Sequence, residues 1–64
     1  MKRYKVRELI KMLLDDGWYL SRQKGSHRQF RHHTKKGTVT VNGHPGETLD
    51  QFLLNSIFKQ AGWR

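Results

Sequence analysis

Residues 18–33, Trp18-Tyr19-Leu20-Ser21-Arg22-Gln23-Lys24-Gly25-Ser26-His27-Arg28-Gln29-Phe30-Arg31-His32-His33, read as two strands joined by a two-residue turn. Trp, Tyr and Leu open an extended run that reaches Lys24, and Gly25-Ser26 interrupts it as a short hairpin connection does, glycine supplying the positive φ such turns need. The second strand then runs from His27 to about His33. If Phe30 enters a core, the two-residue alternation of a strand sends His27, Gln29, Arg31 and His33 to the opposite, solvent-facing side. The first strand leaves its own parity open. In regular alternation Trp18 and Leu20 share a face with Arg22 and Lys24, two apolar residues with two cations.

Downstream, Thr34-Lys35-Lys36-Gly37 has turn composition, and Thr38-Val39-Thr40-Val41 alternates polar and apolar with a β-branched residue at every position. With Val39 and Val41 inward, Thr38 and Thr40 point out. Upstream, Val6, Leu9, Ile10, Leu13 and Leu14 fall on one stripe about 140° wide at helical periodicity, which predicts an amphipathic helix over residues 5–16, stopped by Gly17. Neither Tyr4 nor Lys5 is an N-cap residue, so this helix is expected to fray at its start. After the loop Asn42-Gly43-His44-Pro45-Gly46, Thr48-Leu49-Asp50-Gln51 has the capping-box spacing, with Thr48 as cap. A second helix over residues 49–61 carries Leu49, Leu53, Leu54, Ile57, Phe58 and Ala61 on its stripe, with Phe52 off the edge and Gly62 closing it. The order is helix, three antiparallel strands, helix, an α+β fold in which residues 1–64 form a single domain.

Sixty-four residues build one modest core, burying only about 60% of the surface the unfolded chain exposes. A 34% hydrophobic content is too apolar for a disordered polycation. No cysteine is present, which removes disulfides, thiolate metal sites and cysteine nucleophiles together and fits a reducing, cytoplasmic setting. The apolar runs Met12-Leu13-Leu14 and Phe52-Leu53-Leu54 fall far short of the ~20 residues that span a bilayer, and Met1-Lys2-Arg3 leads into no signal-peptide core. A soluble protein with no membrane partner is expected.

Thirteen Lys and Arg oppose five Asp and Glu, for a net charge of +8 and a pI near 10.5. Such a balance attracts polyanions, nucleic acid first among them. The charge is also concentrated: residues 21–36 hold Arg22, Lys24, Arg28, Arg31, Lys35 and Lys36 with no acid. A phosphate-binding track and a solvated basic face look alike at this level. Within the stretch, His27 follows Gly25-Ser26. An imidazole, ordinarily titrating near 6.5, can take the proton of a ribose 2′-hydroxyl or deliver one to a departing 5′-oxygen. Gly25 lets backbone approach a phosphate, and the Ser26 hydroxyl can orient one of its oxygens. On spacing alone, however, Gly-Ser-His also describes an exposed bystander at a strand start.

The other groups are less informative. Four histidines do not make a metal site here, because His32 and His33 point to opposite strand faces, His44 sits in a loop and no acid lies nearby; no metal or other cofactor is expected. Trp18, Phe30 and Phe58 have core parity, leaving Tyr19 as the best candidate for base stacking. Phe52 and Trp63 read as interface anchors or, equally, as a helix staple and a loose end.

Taken in order, Arg7-Glu8-Leu9-Ile10-Lys11 with Leu13-Leu14, Asp16-Gly17-Trp18, Arg22-Gln23-Lys24-Gly25-Ser26-His27 before Phe30, Thr34-Lys35-Lys36-Gly37, Val39-Thr40-Val41 and Asn55-Ser56-Ile57-Phe58-Lys59-Gln60-Ala61-Gly62 resemble the HicA-type toxins of toxin–antitoxin systems. These are small mRNA interferases with a fold similar to a double-stranded-RNA-binding domain, and the resemblance covers nearly the whole chain. It implies an endoribonuclease (hydrolase, nuclease) acting without ribosome or metal, with the family's catalytic histidine falling on His27. Lys24, Gly25, Ser26 and Arg28 would then position the phosphate, and Arg22, Arg31, Lys35 and Lys36 would bind the RNA. His44 lies where relatives commonly carry a basic residue or histidine, a supporting position at most. The resemblance further implies a HicB-type antitoxin that covers the active site, and the free toxin is expected to be a monomer. One departure stands out: where the family's second helix usually opens with a Gly-Thr cap, this chain has Phe52 and Leu53.

Two rivals use the same element order or charge. A non-catalytic double-stranded-RNA binder usually begins its second helix with a lysine cluster, but Glu47 and Asp50 occupy that region here. A major-groove DNA reader needs a helix with a basic face, whereas this chain keeps its charge in strands and turns.

Overall fold

The computed structural model describes residues 2–64. Helix α1 (Val6–Asp15) leads into β1 (Trp18–Lys24), β2 (His27–His32) and β3 (Val39–Val41), and α2 (Gln51–Gln60) completes the chain. The strands form one antiparallel sheet in the order β1-β2-β3, so the α+β expectation and its double-stranded-RNA-binding-domain-like order hold.

Both helices pack on one side of the sheet. Val6, Leu9 and Leu13 of α1, Leu49 ahead of α2, and Leu54, Ile57 and Ala61 along and just after it close over Trp18, Phe30, Val39 and Val41. Phe30 is central: it stands opposite Leu20 on one side and Val39 on the other. Ordinary core truncation of a phenylalanine costs about 3–5 kcal/mol, a large share of the stability of a domain this small. The stripes are narrower than their periodicity predicts. Leu14 and Leu53 lie at the stripe margins and remain 52% and 44% exposed, because two ten-residue helices over a three-stranded sheet leave their flanks uncovered.

Two expectations about helix ends are corrected. The start of α1 is tied down rather than frayed: Val6 N–H donates to the Glu47 carbonyl at 2.9 Å and Arg7 N–H to the Pro45 carbonyl at 3.0 Å. The Glu8 carboxylate accepts from Lys5 N–H at 2.8 Å. Donors that a local cap would satisfy are met by a loop distant in sequence. The cap of α2 is Asp50, whose carboxylate accepts from Leu53 N–H at 2.9 Å. Thr48 instead forms an isolated antiparallel bridge with Lys5, and Leu49 N–H donates to the Tyr4 carbonyl at 2.9 Å. That extended pairing holds residues 48 and 49 out of helical geometry, so α2 begins at Gln51. Strand β2 likewise ends at His32, one residue before the expected limit.

Candidate active site

The outer face of the sheet, opposite the helices, gathers the groups around His27. Across an antiparallel pair, directly opposed residues share a face. Lys24 stands opposite His27, Arg22 opposite Gln29 and Tyr19 opposite Arg31. Leu20 opposite Phe30 and Trp18 opposite His32 take the helix side of the sheet, where Trp18 is buried and Leu20, on the edge strand, stays 46% exposed. The register slips between Leu20 and Arg22, where Ser21 is the extra residue of a β-bulge. This bulge resolves the parity conflict in β1. Before it, even-numbered Trp18 and Leu20 face inward; after it, even-numbered Arg22 and Lys24 face outward with His27.

Gly25 has φ of 58° and, among the described residues, no non-glycine residue has positive φ, the pattern of a type II′ hairpin turn with glycine at its first central position. A side chain at that φ would be strained, although the space around Gly25 is open. The Gln23 amide donates to the Gly25 carbonyl at 3.0 Å and stiffens the turn. Arg22, Lys24, Gly25, Ser26, His27 and Gln29 line one solvent-open depression of about 680 Å³. His27 is exposed at its rim, available to a bound substrate from solvent. Gln29 was legible as an outward residue but not as part of a site; only the pairing with Arg22 brings it to the depression.

Two predicted phosphate ligands, Arg28 and Lys35, are engaged elsewhere in the fold. Arg28 lies on the inner face, where its guanidinium Nη1 donates to the Gly43 carbonyl at 2.8 Å and to the Ser26 carbonyl at 3.3 Å. It braces the hairpin turn against the loop after β3. Lys35 is remote from the depression, its ammonium donating to the Asp16 carboxylate at 2.7 Å and to the Ala61 carbonyl at 3.1 Å. Lys36 is exposed in the same β2–β3 loop, and Arg31 is exposed on the outer face.

The histidines separate by role. His32 donates from Nε2 to the Asp16 carbonyl at 2.7 Å, while its Nδ1 accepts from the backbone N–H groups of Thr34 and Lys35 at 3.1 and 3.2 Å. Those partners set its tautomer and make it a latch, edge-on to Trp18 at 5.2 Å between ring centres. His33 lies against Tyr19, with ring centres 5.0 Å apart, and His44 is exposed in the loop after β3.

No local pattern in the sequence marks Asp16 as an organising residue, because its partners lie at positions 18, 35 and 63. Its carboxylate oxygen Oδ2 accepts from Lys35 Nζ at 2.7 Å and from the indole N–H groups of Trp18 and Trp63, each at 3.1 Å. The hydrogen bonds from Lys35 and Trp63 hold its carboxyl down from the ordinary 3.8 to about 2. Trp63 is therefore a staple, also packed edge-on against Phe58 at 5.2 Å, while Phe52 is 81% exposed.

This architecture, with a glycine turn delivering an exposed histidine to a cationic sheet face, defines a small basic α+β domain of the double-stranded-RNA-binding-domain-like class. A family model described as the HicA toxin of bacterial toxin–antitoxin systems matches residues 6–63. The chain belongs to the HicA toxin family and is the toxin half of such a pair, so a cognate antitoxin is its partner. Comparison with curated proteins gave no significant match. Among the described residues, no helix is long and apolar enough to cross a membrane.

Proposed function

We propose that this toxin is an mRNA interferase that cleaves RNA at the hairpin depression, with His27 as the proton-transfer group. The observation that carries this reading is the direct opposition of Lys24 and His27, with Arg22 brought to the same face by the Ser21 bulge. Cleavage transfers the phosphorus of a phosphodiester from the 5′-oxygen to the neighbouring 2′-oxygen. The 2′-hydroxyl proton passes to a base, the P–O5′ bond breaks, and the departing 5′-oxygen receives a proton, leaving a 2′,3′-cyclic phosphate. The His27 imidazole suits either transfer, each typically worth about 10²–10⁴-fold. Lys24 and Arg22 attract the phosphate and stabilise the charge that builds on it. Gly25 keeps the turn backbone clear of a side chain, and Ser26 orients a phosphate oxygen. Arg31 and Lys36 contribute to RNA attraction; Arg28 acts by bracing the turn and Lys35 by tying loop to helix.

No metal is required by this chemistry. Purified protein and its His27→Ala variant, incubated with single-stranded RNA in EDTA at low salt, test it. Cleavage by the parent alone is expected; cleavage retained by His27→Ala would reject the assignment, and binding without cleavage by both would leave an RNA-binding module. Against that rival, α2 opens with the acidic cap Asp50 and the exposed Phe52 rather than a lysine cluster. A HicB-type antitoxin would neutralise the free, monomeric toxin by covering the outer face, and its addition should block RNA access to it.

A further inference from the structure

Beyond the depression, the outer face continues along the hairpin to a pair of rings. Tyr19 stands opposite Arg31 and is 41% exposed. The His33 ring lies beside it, with centres 5.0 Å apart and planes tilted by 31°. No core residue requires Tyr19: its parity points it away from Trp18 and Phe30, which are buried on the other side. Arg31 stands between the rings and the Arg22–Gln29 pair that lines the depression, so the face runs from aromatic surface through a cation into the depression. Arg31 lies four positions along β2 from His27, about 13 Å at strand rise, a distance covering a few nucleotides rather than one.

We infer that Tyr19, flanked by His33 and Arg31, is a base-stacking subsite for single-stranded RNA that holds an unpaired base a few nucleotides from the cleaved bond. This rests on the RNA-cleavage reading of the depression and adds to it a requirement on the substrate: an unstacked, single-stranded segment beside the scissile phosphate. A duplex would not suffice, because its bases are already stacked on one another and its backbone alone reaches the protein. An aromatic ring offers a π-face to any base, while Arg31 supplies a cation to the adjoining phosphate or to the stacked ring. The 31° tilt keeps Tyr19 and His33 from a parallel stack, and both rings are exposed, so a base would pack on the solvent side of Tyr19.

The test measures equilibrium binding of short single-stranded RNA to His27→Ala protein, with Tyr19→Ala and Tyr19→Phe added to that background. Tyr19→Ala should weaken binding about 5- to 100-fold, and Tyr19→Phe should bind like its parent. The salt dependence of binding should keep its slope in Tyr19→Ala, because stacking releases no counterions, whereas Lys24→Ala should reduce the slope by about 0.7. A single abasic nucleotide walked along a cleavable RNA should lower cleavage by the otherwise unaltered protein at one position a few nucleotides from the cut, and the same scan should be flat for Tyr19→Ala. Unchanged affinity in Tyr19→Ala, or a flat scan with Tyr19 present, overturns the subsite while leaving cleavage at His27 intact. Loss of antitoxin binding with RNA binding preserved would assign the rings to a protein contact and equally overturn it. RNA binding that depends on Tyr19 in a protein that never cleaves would retain the subsite and reject the nuclease.

Discussion

The Lys35 ammonium sits 2.7 Å from the Asp16 carboxylate, joining the β2–β3 loop to the end of α1 across nineteen positions of chain. The same carboxylate oxygen receives the indole N–H groups of Trp18 and Trp63, so one acid organises four separate segments. Asp16 titrates at about 2 in the folded protein against an ordinary 3.8. On acidification the unfolded chain therefore takes up this proton first. The stabilisation is complete above the ordinary value and is lost as pH falls through about 2. The melting temperature of Asp16→Asn should lie below that of the parent at neutral pH, and the gap should close across that acid window. A gap independent of pH would show that the charge is not what matters.

Arg28 donates to two carbonyls, one on each side of the space between the hairpin turn and the loop after β3. Arg28→Ala should cost about 1.5–3 kcal/mol in stability, the usual range for hydrogen bonds from charged groups. It should also slow cleavage by loosening the turn that presents His27, yet leave the salt slope of RNA binding unchanged. Chemical denaturation and a salt titration measure these separately; a reduced slope would place the guanidinium on the phosphate instead.

Gly17 has φ of 95°, and a Cβ built on it would lie 2.9 Å from His32 Nε2, the atom that donates to the Asp16 carbonyl. Gly17→Ala meets both backbone strain and a displaced latch. A loss above about 1 kcal/mol is expected, with a lowered denaturation midpoint as the readout.

Ser21 is the extra residue of the bulge. Removing it aligns Leu20 with Phe30 and Arg22 with Gln29 as consecutive pairs of a regular ladder, so the deletion should fold with Lys24 still opposite His27. Cross-strand proton contacts between Lys24 and His27 would verify this, and their loss would show that the bulge sets more than parity.

Much of this molecule is legible in local chemistry. Apolar spacing at 3.6 and 2 residues marks both helices and the Val39–Val41 strand, Gly25-Ser26 marks the hairpin, and the uneven charge places a basic, histidine-bearing stretch at its centre. Those signals are local because periodicity and turn geometry act over a few residues. The family resemblance supplied the emphasis on His27, and placement on an outward strand position agrees with the alternation around Phe30.

Long-range partners are another matter. Whether Arg22 and Lys24 join His27 depends on a one-residue register slip against β2, and period-two alternation inverts every face when the register moves by one. Arg28 and Lys35 looked like two more cations of a phosphate track, and the carbonyls and carboxylate they meet belong to Gly43, Ala61 and Asp16. The start of α1 is held by carbonyls of the 45–47 loop, and Thr48 is drawn into a bridge with Lys5 so that Asp50 becomes the cap of α2. In each case the chain writes down which groups can bond, and three-dimensional packing chooses which of them meet, because a buried or bracing hydrogen bond is satisfied by whichever donor the fold brings within about 3 Å, regardless of its distance in sequence.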